Sequence, residues 1–401
     1  MTQNSARSCL WLLHGCLLYY SEAVVYVCEP LPYAMGNRSS KATVMLTILL
    51  VSTSAPAVAG EWSDDTWLEN IIGPERLENG DEFGCHGYEG VSTVEENWVI
   101  EACKDYLIRS TNASRWGSAP ISFGVPETFL DDETAEQLAS SGFMIVGDKL
   151  SETPTNGLIL APRITTSMEK GVADTSLIES AEEDALVSIY WRARIDDLRV
   201  REDKDAIAWL ENQPYWFTTW GEWNLHRLAS QSITTELVGN IITSTSQIDN
   251  TWDVPGSTLL QFDAEVLVAP YDSFGEPYPE ISSDARKLEI GWRQVEDGIL
   301  LTQAPGTTLT IELDTEPNTM LSNPMTTFND HHHAVTIVGH HTTNLFQWTA
   351  DFVNSELVFT WLIERPAGVE KSWFLPALAL TILIATPLSI RYLIKKDAES
   401  H

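Results

Sequence analysis

The stretch HHHAVTIVGHH, His331–His341, places five of the nine histidines of the chain on either side of a short apolar run. Valine, threonine and isoleucine in Ala334–Val338 predict a β-strand. In an extended strand, His333 and His340 lie about 23 Å apart at ~3.3 Å per residue. Because a bond from a metal to a histidine nitrogen is about 2 Å long, the two groups of histidines cannot share one ion.

The first group of histidines is a candidate for metal binding. In an extended chain, His331 and His333 point to the same face and are able to chelate. Thioether with imidazole favours copper, whereas imidazole with carboxylate favours zinc. The candidate copper or zinc ligands are His331, His333, His340, His341, Met320 and Met325. A structural or solvated loop explains the same residues without a cofactor, and so does a pH-responsive patch of imidazoles.

The sequence around this stretch favours β-structure. Between about residues 185 and 365, short runs of β-branched and aromatic residues alternate with Pro, Gly, Asn and Asp turns, which predicts an antiparallel β-sandwich-like portion at 180–366. One helix, about Glu202 to Asn212, interrupts these runs before a proline.

Residues 61–165 have a different pattern, in which helical stripes alternate with short apolar strands. One stripe places Trp98, Cys103 and Leu107 on one helix face, and Ser92 with Glu95 resembles a capping box before it. A second helix opens with aspartates and closes at Gly142. This rhythm predicts a small α/β unit with parallel strands.

Two apolar segments predict the topology of the chain. Residues 35–59 have a basic start, an apolar centre and a small-residue run ending near Ala59, as in a secretory signal peptide. Because this pattern begins at Met35, we interpret 1–34 as an over-extended N-terminus; an additional membrane segment there is the alternative. Near the other end, Trp373–Ile390 is uncharged and approaches the ~20 residues that cross a membrane.

The residues that follow the second segment orient it. Arg391, Lys395 and Lys396 predict a cytoplasmic tail at 395–401 after a transmembrane helix at 373–394, since basic flanks stay inside. The domain before it then faces outward, and membrane lipid is a partner of the helix. The expected fold is α+β and β-rich: an antiparallel β-sandwich-like ectodomain portion preceded by a small α/β unit, with one C-terminal transmembrane helix.

Charge narrows the possible partners. The chain has a formal net charge of −33, and residues 61–370 alone hold 53 acidic and 17 basic residues. Such a surface repels nucleic acid and anionic lipid, whose recognition requires Lys and Arg. Lysine is scarce in this range, which indicates a salt-adapted, halophilic surface. The partners that remain are a surface glycan or an envelope protein.

After removal of a signal peptide, only Cys85 and Cys103 remain, and in an exported domain they predict one disulfide. A Cys85 nucleophile beside His86 is less favoured, because neighbours in a strand point to opposite faces. Asn112 begins the possible glycosylation sequon Asn-Ala-Ser. Three tryptophans, Trp216, Trp220 and Trp223, are candidates for stacking on sugar rings, although large aromatics more often form core.

No GxGxxG, Walker or GxSxG motif is present, and catalytic residues are not identified. The sequence therefore predicts a single-pass, membrane-anchored cell-surface protein with a non-enzymatic binding or envelope-structural role. The alternatives are an extracytoplasmic metal-handling protein, using the ligands above, and a surface hydrolase. A hydrolase would combine acidic residues such as Asp81 and Glu82 with His86 at a strand end.

Overall fold

The computed structural model describes residues 74–161, 174–192, 204–248, 251–342, 355–365 and 374–399. The segments predicted as an over-extended N-terminus, 1–34, and as a signal peptide, 35–59, lie outside the described residues. So does the run 345–352, which belongs to the predicted β-rich portion.

The main sheet contains eight strands, and every pair in it is parallel. Its strands are β1 (Glu82–Tyr88), β2 (Ser122–Val125), β3 (Ile145–Asp148), β4 (Ile159–Ala161), β5 (Leu186–Arg192), β6 (Trp216–Phe217), β15 (Ala334–Thr342) and β16 (Phe359–Arg365). Their order is β4-β3-β2-β1-β16-β15-β5, and β6 also pairs with β15. The strand predicted at Ala334–Val338 is therefore a central strand of the sheet.

Helices connect or flank these strands. They are α1 (Pro74–Asn79), α2 (Trp98–Ser110), α3 (Asp132–Ser140), α4 (Thr175–Glu179) and α5 (Lys204–Glu211). The predicted stripe of α2 is confirmed, since Val99, Cys103 and Leu107 are buried on it. Its start is later than predicted: Ser92 Oγ accepts from the Glu95 backbone N–H in a preceding turn rather than at the helix end.

Two small antiparallel sheets lie between β5 and β15 in the chain. One has the order β10-β13-β8-β7 and the other β11-β12-β9-β14. Their strands are β7 (Thr234–Val238), β8 (Ile241–Thr245), β9 (Gly256–Phe262), β10 (Tyr271–Asp272), β11 (Gly291–Val295), β12 (Gly298–Gln303), β13 (Thr308–Glu312) and β14 (Met320–Pro324). They share an apolar core that includes Leu260, Ile299 and Ile311. Helix α6 (Trp220–Ser232) precedes them and packs on β9.

The prediction of a mainly antiparallel β-sandwich is wrong. Strands β5, β15 and β16 belong to the predicted β-rich portion, yet they lie parallel in one sheet with β1–β4. The residues of β16 are buried almost throughout, from Phe359 to Glu364. Burial on both faces with a near-continuous apolar run is typical of strands in a parallel sheet, whereas a half-exposed antiparallel strand alternates.

The predicted disulfide is confirmed, because the sulfur atoms of Cys85 and Cys103 lie at disulfide distance, 2.09 Å. Cys85 is in β1 and Cys103 is in α2, and both are fully buried in the apolar core on that side of the sheet. The bond therefore ties the helix to the strand that carries His86. It also leaves Cys85 without the free thiol that a nucleophile needs.

The C-terminal helix α7 (Phe374–Glu399) includes a 22-residue stretch, Leu378–Glu399, in which an 18-residue window has a mean hydropathy of 1.5. By length and composition it is able to cross a membrane. Its apolar side chains, such as Leu383 and Leu388, are exposed in the structure. The prediction is thus confirmed for the helix itself, which continues past the predicted limit at 394.

Candidate functional site

Five polar side chains meet at one edge of the parallel sheet. They come from five strands, each from its carboxyl-terminal half, and together form what we name the carboxyl-edge cluster: His86 of β1, Asp148 of β3, Tyr190 of β5, His340 of β15 and Glu364 of β16. Because all the strands are parallel, their carboxyl ends lie on the same edge of the sheet. Ligand sites of parallel α/β folds are found at this edge.

The histidine of β1 forms the centre of the cluster. His86 Nε2 lies 2.8 Å from Asp148 Oδ2, and His86 Nδ1 lies 3.5 Å from Glu364 Oε1. The other oxygen of Asp148, Oδ1, lies 3.6 Å from His340 Nδ1. The backbone N–H of Asp148 donates to the Tyr190 hydroxyl at 2.8 Å. A single imidazole is thus held between two carboxylates, and one of those carboxylates also faces a second imidazole.

The cluster is buried, which makes its charges interact strongly. His86 and Asp148 are each 1% exposed, whereas Glu364 and His340 are 3% and 5% exposed. Burial by itself lowers the pKa of His86, but the hydrogen bonds and negative charges of Asp148 and Glu364 outweigh it and raise that pKa to about 9. His86 is therefore an imidazolium at neutral pH, while Glu364 and His340 are the members closest to the surface.

Glycines on the neighbouring strands make room for the ring of His86 and for a tryptophan beneath the cluster. A Cβ at Gly124 of β2 would lie 2.5 Å from His86 Cδ2, and a Cβ at Gly147 of β3 would lie 2.4 Å from Trp220 Cη2. The Trp220 indole N–H donates to Ser188 Oγ at 2.9 Å. Any larger residue at either glycine would push a ring of the site out of place.

The carboxylates that the sequence suggested for a hydrolase lie at the other end of β1. Asp81 forms an ion pair with Arg76 at 2.6 Å, and Glu82 accepts from the Ser122 hydroxyl and from the backbone N–H of Gly221 at the start of α6. Burial raises the pKa of both carboxyls. Glu82 and His86 are separated by about 13 Å of strand at ~3.3 Å per residue, so Asp81 and Glu82 stabilise the fold at that end and do not join His86.

The first histidine group forms part of a structural turn. His331 Nε2 lies 2.8 Å from the Ala285 carbonyl oxygen, and the Asn329 amide donates to the same oxygen at 3.0 Å. His333 is 2% exposed and stacks on Tyr215 with ring centroids 4.1 Å apart. Burial lowers the pKa of His331, and it lowers the pKa of His333 to about 4. Both imidazoles are neutral at physiological pH.

The other predicted metal ligands are placed as follows. Met320 is in β14 of an antiparallel sheet, and the half-buried Met325 follows that strand. His340 belongs to the carboxyl-edge cluster at the far end of β15, and the side chain of His341 lies outside the described residues. Among the described residues, no group of three or more metal-ligating side chains is suited to hold an ion. Metal binding by these residues stays a prediction.

The remaining candidate residues lie in three settings. Trp216 and Trp220 are fully buried, so their faces are covered by protein and offer no platform for a sugar; Trp223 is half-buried. Asn112 is exposed, as a glycosylated residue must be, and its modification stays a prediction.

Three residues of the site were not selected from the sequence: Asp148, Tyr190 and Glu364. Asp148 follows the apolar run FMIVG and Glu364 follows a run that ends at Ile363, so a polar residue near the end of an apolar run was the available signal for these two. Tyr190 lies within its strand and offers no such signal. With the site defined, comparison with known proteins adds nothing to it: no family model, no curated protein and no solved structure matches the chain.

Proposed function

We propose that this chain is a membrane-anchored protein whose outward-facing domain binds a hydroxyl-rich ligand, such as a surface glycan, at the carboxyl-edge cluster. The proposal rests on one observation above the others: five strands deliver His86, Asp148, Tyr190, His340 and Glu364 to the same edge of a parallel sheet. Buried titratable groups with a perturbed pKa are concentrated at functional sites.

The chemistry of the cluster favours a neutral polar ligand. The carboxylates of Asp148 and Glu364 accept hydrogen bonds from hydroxyl groups, and an imidazole beside them donates one. The net negative charge of the chain, with 57 acidic and 24 basic residues, disfavours multiply charged anionic ligands such as phosphates. Glu364 and His340, the least buried members of the cluster, are the groups that such a ligand would contact first.

A glycan-binding assay tests the ligand. The full chain, solubilised in detergent, is measured on an array of neutral mono- and oligosaccharides as the wild type, Glu364→Gln and Glu289→Gln. Glu289 is exposed and far from the site in sequence, so it controls for the loss of one negative charge. We expect Glu364→Gln to weaken binding by about 10–100-fold, the value of a charge-assisted hydrogen bond, and Glu289→Gln to bind as the wild type. Absence of glycan binding, or equal binding by all three proteins, contradicts the proposal.

The anchoring part of the proposal is supported by α7, a long apolar helix whose side chains are exposed in the structure. An exposed apolar surface of this size is stable only when lipid or protein covers it. Protease treatment of intact cells should remove the domain at 74–365 and leave a membrane-bound fragment that contains α7. A chain that stays soluble after lysis, or that resists protease until the cells are opened, contradicts this part alone.

A surface hydrolase is the second candidate, and the position of His86 between two carboxylates favours it. Hydrolysis of a glycoside consumes one water: an acid protonates the leaving oxygen while a base takes a proton from the attacking water. In this site the His86 imidazolium is able to act as the acid and a carboxylate as the base. Release of nitrophenol from nitrophenyl glycosides by the wild type, and its loss in His86→Asn, would establish turnover; binding without release excludes it for those substrates.

A further inference from the structure

Helix α6 has three N–H donors on one side that find no acceptor among the described residues. They are Trp223 Nε1, Asn224 Nδ2 and Arg227 Nε, and each of these atoms is shielded from solvent. Asn224 is fully buried, whereas the side chains of Trp223 and Arg227 are half-buried. We name these three side chains the donor patch; none of them belongs to the carboxyl-edge cluster.

Arg227 contacts both of the other members of the donor patch. Arg227 Nη2 donates to Asn224 Oδ1 at 3.3 Å, and the guanidinium carbon of Arg227 lies 5.4 Å from the centre of the Trp223 ring. Residues three and four apart share a helix face, so these contacts follow from the spacing. Because arginine is unable to accept a hydrogen bond, the amide atom that faces it is the oxygen. The Nδ2 group of Asn224 is then left as a donor.

The donor patch includes one positive charge, that of Arg227. Within the described residues, Arg227 forms no ion pair, although the chain has 57 acidic residues. A buried N–H group without an acceptor is unfavourable and rare in folded proteins. One guanidinium and two neutral donors together have a charge of +1, which an acceptor with a single negative charge would balance.

We propose that the donor patch binds one small monovalent anion, either a halide such as chloride or a carboxylate. An anion accepts from several N–H groups at once and adds no hydrogen of its own. A water molecule in the same place would bring two hydrogens that themselves need acceptors. Trp223 and Arg227 are only half-buried, so the donor patch is open to solvent on the side of these two residues.

Thermal unfolding tests the proposal with the full chain in detergent at constant ionic strength. Sodium chloride and sodium acetate are compared with sodium gluconate, whose bulky anion does not fit a small site. Constant ionic strength matters, because any salt screens the repulsion within so acidic a chain. We expect chloride or acetate to raise the Tm by about 2–4 °C above gluconate, the shift for a site filled at several times its Kd. The anion that raises the Tm, chloride or acetate, shows whether the site prefers a halide or a carboxylate.

Three variants connect this effect to the donor patch. Arg227→Gln should abolish the difference between the salts, and Trp223→Phe, which removes one N–H but keeps an aromatic ring, should reduce it. Arg109→Gln, at an exposed position on α2, removes the same charge and should leave the difference intact. If Arg227→Gln does not fold, crystals of the wild type soaked in bromide give the answer: an anomalous peak within hydrogen-bond distance of the donor patch is expected.

Two results overturn the proposal. One is equal stability of the wild type in all three salts together with no bromide peak at the donor patch. The other is a chloride or acetate effect that persists unchanged in Arg227→Gln. Neither result concerns glycan binding, so this inference and the proposed function fail or succeed separately.

Discussion

The two ends of strand β15 place histidines in opposite chemical surroundings. At its start, His331 and His333 meet a backbone carbonyl and an aromatic ring, and burial lowers the pKa of each. At its end, His340 faces Asp148, whose other oxygen binds His86, and the pKa of His86 is raised to about 9. All four imidazoles are buried.

This difference shows that burial alone does not determine the charge of a histidine. Desolvation disfavours the imidazolium at both ends of the strand. Carboxylates reverse the effect at the carboxyl edge, and the start of β15 has no such partner for His333, whose described contacts are Tyr215 and His332. The neutral histidines at the start of β15 are suited to stabilise the fold, and the charged cluster at its end is suited to bind a polar ligand.

The largest expected effect comes from removing the carboxylate of Asp148. Asp148→Asn keeps the size of the side chain and tolerates the left-handed backbone at φ 75, but it leaves the buried His86 with one carboxylate instead of two. We expect the free energy of unfolding in urea to fall by about 3 kcal/mol, near the lower limit for breaking a buried ion pair. Asp105→Asn, on the exposed face of α2, should change it by less than about 0.5 kcal/mol.

The second effect is a loss of stability at alkaline pH. The folded pKa of His86, about 9, lies above the ~6.5 of an exposed imidazole. The contribution of His86 to the free energy of unfolding is therefore complete below pH 6.5 and is lost as the pH rises through 9. It amounts to about 3 kcal/mol at 1.36 kcal/mol per pKa unit. Subtracting the stability–pH curve of His86→Gln from that of the wild type should reveal this decline. A flat difference would show that His86 is neutral in the folded state.

The opposite end of β15 should respond to acid instead. The folded pKa of His333, about 4, lies below that of an exposed imidazole, so its contribution is present above pH 6.5 and is lost as the pH falls through 4. The neighbouring His332 is exposed, so solvent screens His333 in part. We therefore expect His333 to contribute about 2 kcal/mol to the free energy of unfolding, less than full desolvation would give. His333→Phe retains a ring against Tyr215 and should remove this part of the loss of stability at acid pH. Urea unfolding at pH 4–7 measures it.

The smallest effect concerns the hydrogen bond of His331. His331→Phe keeps a planar ring but loses the bond to the Ala285 carbonyl, which should lower the free energy of unfolding by about 1 kcal/mol. His332→Ala, at the exposed position between the two buried histidines, should change it by less than about 0.5 kcal/mol. If His332→Ala lowers the free energy of unfolding more than His331→Phe does, His332 and not His331 is the histidine that stabilises the turn.

Local elements of this fold are readable in the sequence, but the pairing of its strands is not. The α2 stripe and the strand β15 were predicted because side-chain periodicity and β-branched content are local properties. Strand direction depends on partners: β15 pairs with β5, from which two antiparallel sheets separate it in the chain. The sign of a parallel sheet that the sequence offers is the near-continuous apolar run Leu357–Ile363, because a strand that is half exposed in a sandwich alternates polar and apolar residues.

The site was less predictable than the fold. His86 was selected, but with Asp81 and Glu82, which lie at the start of β1, at the other end of the strand. Its actual partners, Asp148 and Glu364, come from β3 and β16, and only the strand order brings them together. Among 57 acidic residues, no local pattern distinguishes these two.

The position of β16 has a consequence for how the domain is made. This strand, Phe359–Arg365, lies between β1 and β15, so the centre of the sheet closes only after the chain has been synthesised as far as residue 365. Until then β1 and β15 each present an unpaired side, which invites contact with other nascent chains. Helix α7 follows β16 closely in the chain, so the sheet is completed at about the time that this apolar helix emerges, and a chaperone that binds there would protect both.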